Sequence, residues 1–269
     1  MSLDTKVVYV NSRNRDIGGT PQNFAITDTE NNFAQIPQSV KAVTICIPFT
    51  WYNVTSANNT FTFTGTLSGG PLSFVVPPNN YTGSSLATKL QSLLISTAVA
   101  GGPHNYTVTY DVSTGKFTFN VTTEAFSIDF TVPNNMSNIL GFNSVVLPTA
   151  NTQISSNVAN LIIDTEIWVT TNLISGCDNG VVPWLNTNPS ANTQGILACF
   201  PIQGCFGDII NYTLPPQFPF FNITNSEFSK TKTIEPRKMT FTLKFPSGAP
   251  LDLNGHDWSI QILFDMNHR

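Results

Sequence analysis

The best candidate for acid and base chemistry in this chain is a pair of carboxylates, Asp164 and Glu166, on one predicted strand. Alternate residues of a strand point to the same face, and two residues of rise separate them by about 6.6 Å. That spacing is near the lower end of the range used by inverting glycosidases. An exposed or interface strand face is the simpler interpretation, and we favour it because no motif that shapes a substrate pocket accompanies the pair.

Oxygen donors also cluster around Gly255, where the segment DLNGHD contains Asp252, Asn254 and Asp257. The segment could bind a cation, but a calcium loop needs more oxygen ligands in register than it supplies. An Asn-Gly hairpin turn that joins the last two strands is the simpler explanation. The cluster therefore predicts a turn rather than a metal site.

Histidines and cysteines are spaced too irregularly for a metal site or a disulfide framework, and no CxxC pair occurs. A nucleophile elbow, a phosphate loop and a dinucleotide-binding glycine motif are also missing from the sequence. We therefore predict that the protein is not an enzyme, has no cofactor and keeps its cysteines as free thiols. The residues considered are His104, His256, His268, Cys46, Cys177, Cys199 and Cys205.

Basic residues near the start suggest binding rather than catalysis. Arg13 and Arg15 follow the extended run Lys6 to Val10, and in an extended chain they lie on one face. Paired guanidinium donors can grip a carboxylate of a neighbouring chain; local pairing with Asp16 is the alternative. The predicted interface residues are Lys6, Arg13, Arg15 and Asp16.

The composition favours a protein that packs against other proteins. Charged residues make up 10% of the 269 residues, against about 25% in an ordinary soluble domain. The net charge of −4 and a pI near 5.2 leave no basic surface for nucleic acid. We also expect no signal peptide and no membrane span, because the start lacks a basic segment followed by an apolar one and no long apolar run occurs.

The segment Val40 to Val54 is the clearest strand, and it organises the rest of the chain. Large apolar residues alternate with small or polar ones from Val43 to Trp51, which predicts one buried and one partly polar face. Pro48 cannot donate to a ladder, so we expect a bend, a bulge or an edge there. The second half of the segment should leave the sheet that holds the first, which implies a second sheet.

Residues 58–151 have a different character and predict an inserted module. They contain the one credible helix, with Ser84 or Ser85 as its N-cap and leucines at helical spacing, and a hairpin around the turn at 113–116. An apolar segment, Ile139 to Phe142, closes the module. About ninety residues with such elements are too many for a structureless loop.

Sandwich strands resume after residue 151 and complete a set of eight. Eight antiparallel strands interrupted by a module predict an all-β fold, a single jelly-roll sandwich with an inserted, mostly-β domain containing one helix. The predicted domains are 1–57 plus 152–269, with an N-terminal arm at 1–22, and 58–151. The eight strands are Asn23 to Asp28, the central strand, Asn160 to Thr171, Ile196 to Ile202, Asp208 to Leu214, Phe228 to Ile234, Met239 to Phe245 and Trp258 to Asp265.

Several motifs of this chain resemble a known family. The segments VVYVNSRNRD, NFAI, IPQSVKAVTICIPFTWYNV and LDLNGHDWSIQILFD, and within the module NNYTGSSLATKLQSLL, YTVTYDVSTGKFTF and ILGF, are similar to the penton, or vertex, capsid proteins of nucleocytoplasmic large DNA viruses and virophages. The resemblance covers most of the chain, although the segment Gly176 to Gln194 matches nothing in the family.

The resemblance implies a structural role in a virion. A homopentamer would occupy the fivefold vertices of an icosahedral capsid, among major capsid proteins with a double jelly roll and other minor capsid proteins. The protein would be made in the host cytoplasm, without direct nucleic acid binding, and the module would face outward toward a host surface or a fibre.

Two alternatives to the vertex role stay open at this point. One is a minor or cement capsid protein beneath the capsomers. The other is a carbohydrate-binding host-attachment module, because lectin domains also use jelly rolls. Trp51 and Trp168 lie in predicted strands, so Trp184, in a predicted loop, is the candidate ligand aromatic.

Overall fold

The computed structural model describes residues 5–28, 37–65, 70–96, 105–143, 146–162, 164–174, 195–216, 220–223 and 237–266. Contacts divide the chain into two units, which we call the sandwich (1–51 and 164–269) and the module (52–163). The predicted boundaries at 57 and 152 fall inside the module. In order, the first sandwich elements are β1 (Thr5–Asn11), a 3-10 turn (Ser12–Asn14), β2 (Asn23–Asp28) and β3 (Ser39–Pro48).

The module follows, and the remaining sandwich strands come after it. The module elements are β4 (Thr60–Gly65), β5 (Leu72–Val75), α1 (Gly83–Ser96), β6 (Tyr106–Asp111), β7 (Lys116–Val121), β8 (Phe126–Asp129), α2 (Ser137–Leu140) and β9 (Thr152–Ile154). The later sandwich strands are β10 (Glu166–Thr171), β11 (Gly195–Pro201), β12 (Ile209–Thr213), β13 (Phe221–Asn222), β14 (Arg237–Lys244) and β15 (Ser259–Asp265).

The strand order of the sandwich is that of a jelly roll. One sheet has the order β1-β15-β3-β12, with the short β13 also paired to β3, and the other has the order β11-β10-β14-β2. Leaving β13 aside, the first strand pairs with the last, the second with the next to last, and so on inward, and all these pairs are antiparallel. The predicted all-β jelly-roll class is therefore confirmed.

The alternation of β3 changes phase at a bulge. The ladder with β15 pairs Gln261 with Thr44 but Ile262 with Ala42, so Val43 is the extra residue. Its insertion reverses which parity faces the core: Val40 and Ala42 are buried before it, and Ile45 and Ile47 after it. The prediction of one unbroken period was therefore wrong, and Val43 is only half-buried.

The segment predicted as an arm is a sheet strand. All seven residues of β1 pair with β15, from Thr5 opposite Asp265 to Asn11 opposite Ser259. Val10 on this edge strand is buried in the core, and so is Ser12 in the turn that follows it. Residues 5–11 therefore belong to the sandwich, and β1 supplies the eighth long strand, whereas the predicted strand Phe228 to Ile234 lies outside the described residues.

The module has two three-stranded sheets, β5-β4-β8 and β6-β7-β9, around its own aromatic core. Phe63 stacks on Phe126 at 5.0 Å between ring centroids, and Phe119 lies 6.0 Å from Phe142. Val54, before the predicted start, is buried in this core, and β9, after the predicted end, pairs with β7. The predicted boundaries were therefore too narrow.

Helix α1 begins two or three residues earlier than predicted. Thr82 caps it: the Ser85 backbone N–H donates to Thr82 Oγ1 at 3.2 Å, and the Thr82 N–H donates to Ser85 Oγ at 2.9 Å. The N-cap is therefore Thr82 rather than Ser84 or Ser85, and Ser85 plays the reciprocal part of a capping box. Further along, Gln91 Oε1 accepts the backbone N–H of Val108 at 3.1 Å, so the helix also satisfies a donor of β6.

Candidate functional site

An ionic cluster forms where the 3-10 turn after β1 meets the loop before β15. Arg15 Nη1 lies 2.9 Å from Asp257 Oδ1, and it also donates to the Ser12 carbonyl at 2.9 Å. Ser12 Oγ donates to Asp257 Oδ1 at 2.8 Å and accepts the Trp258 N–H at 3.0 Å. Asp257 therefore ties the turn to the loop, and both predicted arginines meet in this cluster.

The charge state of Asp257 follows from these contacts. Burial alone would raise the pKa of its carboxyl group, but the hydrogen bond from Ser12 and the guanidinium groups of Arg15 and Arg13 outweigh burial and hold the pKa below its usual value. Arg13 contributes only through Nε, 3.5 Å from Asp257 Oδ2, and its side chain is 81% exposed. Arg13 is therefore the member of the cluster that faces solvent.

Asp16 has a different partner from the one that local pairing predicts. Its carboxylate accepts the Thr27 hydroxyl at 2.7 Å and the Thr27 backbone N–H at 3.2 Å, and its own N–H donates to Ala25 O at 2.8 Å. Asp16 thus connects the turn to β2 in the other sheet, and the arginines pair with Asp257 instead. Lys6 is half-buried on β1, opposite Phe264.

Exposed apolar side chains lie on both outer strands of the first sheet. On β1, Val7 is 61% exposed and Tyr9 is 60% exposed; at the start of β12, Ile209 is 62% exposed, and Phe206 just before it is 45% exposed. None of these residues was predicted as a site from the sequence. The sequence did contain an indication of their exposure. Large apolar residues fall at both odd and even positions of the run from Lys6 to Val10, so both faces of that strand carry them, and Phe206 lies between Gly204 and Gly207.

The loop that carries Phe206 is fixed by its own hydrogen bonds. Asp208 Oδ2 accepts the Cys205 N–H at 2.6 Å, and the Asp208 N–H returns to Cys205 O at 3.0 Å. Phe49, just beyond β3, donates its N–H to Asp208 O at 2.8 Å and accepts the Gly207 N–H at 2.8 Å. We call residues 203–209, which end with the first residue of β12, the β11–β12 loop; all of them are exposed.

Of the predicted carboxylate pair Asp164 and Glu166, Glu166 forms hydrogen bonds within the fold. Glu166 Oε1 accepts the Trp168 indole N–H at 3.0 Å, and Oε2 accepts the Cys199 thiol at 3.1 Å. Burial and this hydrogen bond raise the pKa of Cys199 to about 12, and burial followed by the charge of Glu166 raises the pKa of Asp164. Glu166 therefore joins β10 to β11, which agrees with the structural interpretation, whereas Asp164 lies before β10 and not on the same strand as predicted.

The segment around Gly255 is a turn, but it is not a hairpin. Asn254 and Gly255 both have positive φ, 51° and 82°, and Asp252 Oδ1 accepts the Asn254 N–H at 2.9 Å. The flanking strands β14 and β15 belong to different sheets, so the turn lies in a connection that crosses between them. The expected hairpin was wrong because the last two strands of this jelly roll belong to opposite sheets.

The remaining candidates add no further site. His256 is exposed, and its Nδ1 lies 3.2 Å from Leu253 O. Trp51 is buried and stacks on Phe49 with centroids 4.1 Å apart. Within the described ranges no three potential metal ligands cluster, and no helix is long and apolar enough to cross a membrane. Trp184, His104, His268 and Cys177 lie outside the described residues.

Two solved structures are similar to this chain over nearly its full length. The selenomethionine-labelled mavirus penton protein is 10% identical, with a TM-score of 0.49, and the match covers 97% of this chain and 100% of that chain. A chain of the Sputnik virophage structure is 14% identical, with a TM-score of 0.45 and 98% of each chain covered. No family model and no curated protein sequence matches.

Proposed function

We propose that this protein is a structural capsid protein that forms homopentamers at the fivefold vertices of an icosahedral large DNA virus or virophage capsid. The observation that carries the proposal is the strand pairing of the sandwich, in which eight strands pair from the outermost inward across two sheets. This is the order of a jelly roll, a fold that viral capsids share with lectins and cupins. The similarity of the sequence motifs to those of vertex capsid proteins favours the capsid role.

The arrangement of the first sheet supports self-association in a ring. A ring of identical subunits uses two different surfaces, because one side of each copy contacts the other side of the next. The outer strands β1 and β12 are unlike in sequence, and each carries exposed apolar residues. Such a surface suits a subunit that buries both edges on assembly.

The sandwich and the module have different roles in this proposal. The sandwich makes the ring and contacts the double jelly-roll major capsid protein and other minor capsid proteins, whereas the module, with its own core, is available to a host surface or a fibre. The protein is made in the host cytoplasm and acts in the virion. The engagement of Glu166 and Asp257 within the fold supports a structural rather than an enzymatic role.

The mass of the protein in solution and its copy number in particles test this function. Five copies of 29.3 kDa weigh about 147 kDa, a mass that native mass spectrometry distinguishes from the monomer. Symmetry-resolved imaging of purified particles should then show five copies around each vertex. A strictly monomeric protein that is absent from virions would contradict the proposal. Copies found beneath the capsomers would favour the cement role instead. A monomer that binds to a glycan array would favour the host-attachment role.

A further inference from the structure

The two outer strands of the first sheet present complementary groups at the same end of the sheet. The ladders place Asn11, Ser259, Cys46 and Asn211 in one row across the four strands. β1 and β12 run in opposite directions, so the residues after Asn11 and the residues before Asn211 lie beyond the same end. Arg13 is therefore level with the β11–β12 loop, on the opposite side of the sheet.

The groups at these two edges match in kind. On the β1 side, Arg13 is exposed, and Tyr9 and Val7 present apolar surface. On the β12 side, Asp208 is exposed beside Phe206 and Ile209. Arg15, Asp16 and Asp257 on the β1 side are committed to the contacts within the chain described above, which leaves Arg13 as the outward charge. One edge of the sheet thus presents a basic group with apolar neighbours, and the other edge presents an acidic group with apolar neighbours.

We propose that a second copy of this chain docks its β11–β12 loop against the β1 edge, with Asp208 pairing to Arg13 and with Ile209 packing beside Tyr9, whose hydroxyl lies 3.4 Å from Asn11 Nδ2 and so extends toward the same row. The inference rests on the proposed self-association and names its contact. Because the two edges lie at the same height, repeating the contact by rotation about an axis along the strands closes a ring instead of a helical filament. The rigid loop costs little conformational entropy when it docks.

Cys205 provides a direct test, because it is exposed in the same loop. In the Arg13→Cys variant of the full chain, mild oxidation should link position 13 of one copy to Cys205 of the next. Three strand spacings, about 14 Å, separate the two edges within one copy, and a disulfide requires Cα atoms within about 7 Å. A bond between these positions is therefore intermolecular. We expect covalent multimers of increasing size on a non-reducing gel, and none from the matched control Arg13→Cys with Cys205→Ser.

A double-mutant cycle tests the charge pair separately. Asp208→Asn keeps an acceptor for the Cys205 N–H while removing the charge, and Arg13→Gln removes the opposing charge. We expect each variant to weaken association by about fivefold in sedimentation at low salt, and the double variant to weaken it no more than either alone. Ile209→Ser should also weaken association while the melting temperature of the monomer stays unchanged, because this side chain is exposed in the single chain.

The outcomes separate this contact from the proposed function. A multimer of about 147 kDa that forms without the 13–205 disulfide, and whose charge variants act additively, would overturn the contact and leave the capsid role standing. A Cys205–Cys205 disulfide in the unmodified chain would mean that like surfaces meet, which also overturns it. A protein that stays monomeric at every concentration and is absent from particles would overturn the contact and the proposed function together.

Discussion

The sandwich and the module differ in how their sheet edges are closed. In the module, Gln91 of α1 satisfies the Val108 N–H of outer strand β6, and β8 is bridged to Val146 and Ala150. In the first sheet of the sandwich, no strand of the described residues pairs with the outer side of β1 or β12. An unpaired strand edge invites pairing with another chain. The comparison therefore separates a unit in which two outer strands, β6 and β8, are covered by its own residues from one whose two outer strands suit assembly.

The largest expected effect is the loss of the sandwich when β1 is removed. Deleting residues 5–11 takes away the buried Val10 and leaves the other side of β15 without its partner. We expect no cooperative unfolding transition from the sandwich in calorimetry.

As the matched deletion, replacing residues 52–163 by a short Gly/Ser linker should retain that transition and ring assembly, because the module has its own core. If the second deletion left a folded sandwich that no longer assembled, the module would be part of the ring contact.

A core substitution in the module should weaken that unit alone. Phe119→Ala removes a buried ring that faces Phe61 at 6.5 Å and Phe142 at 6.0 Å. Creating such a cavity costs about 3–5 kcal/mol of unfolding free energy, measurable by denaturant titration. Phe241→Ala, beside Phe24 in the sandwich, serves as the comparison. Equal shifts of one shared transition by both variants would show that the two units unfold together.

A buried hydrogen bond gives the module a distinct response to alkaline pH. Tyr106 donates to Glu124 Oε1 at 2.9 Å, and burial first, then this bond and the charge of Glu124, raise the pKa of Tyr106. The stabilisation is complete below the unfolded pKa of about 10 and is lost as pH rises toward the raised value. Tyr106→Phe should cost about 1–3 kcal/mol near neutral pH.

The same substitution should flatten the alkaline part of the stability curve, measured as melting temperature against pH. An alkaline decline of equal steepness in the variant would assign the effect to another group.

The smallest expected effect is at Asp257 in the sandwich. Because its pKa is lowered in the folded protein, its contribution is present above the unfolded pKa of about 3.9 and is lost as pH falls through the lowered value. Asp257→Asn should cost about 1 kcal/mol at neutral pH and reduce the acid sensitivity of melting. Asp252→Asn, at an exposed position five residues earlier, is the control and should change neither quantity.

The fold class was predictable because it depends on local patterns. Strand alternation, the leucine spacing of α1 and the glycine and proline punctuation all act within a few residues, so seven of the eight long sandwich strands and the presence of a module followed from them. The bulge at Val43 did not, since it is defined by the partner strand: only the ladder with β15 shows which residue is extra. The pairing of β1 with β15 likewise joins residues about 250 positions apart, a separation that local reasoning does not bridge.

The candidate site was predictable only in part, for a similar reason. The alternation of Arg13 and Arg15 was visible in the sequence, but their acceptor Asp257 comes from a distant loop. Ser12, which organises this cluster, carried no signal of its own because a lone serine in a polar segment is unremarkable. Phe206 was recognisable as an aromatic residue between glycines, yet its exposure depends on how Phe49 holds the β11–β12 loop.

The pairing of β1 with β15 also sets the order in which the protein matures during synthesis. Every partner of the module strands lies within residues 52–163, so the module can fold as soon as that stretch has left the ribosome. β1 is made first, but its partner β15 is made about 250 residues later. The outer strand therefore waits, unpaired, through most of translation, and the proposed β1 surface exists only on a subunit whose synthesis has passed residue 265. In the proposed contact, an incomplete chain would lack the surface that the next subunit binds.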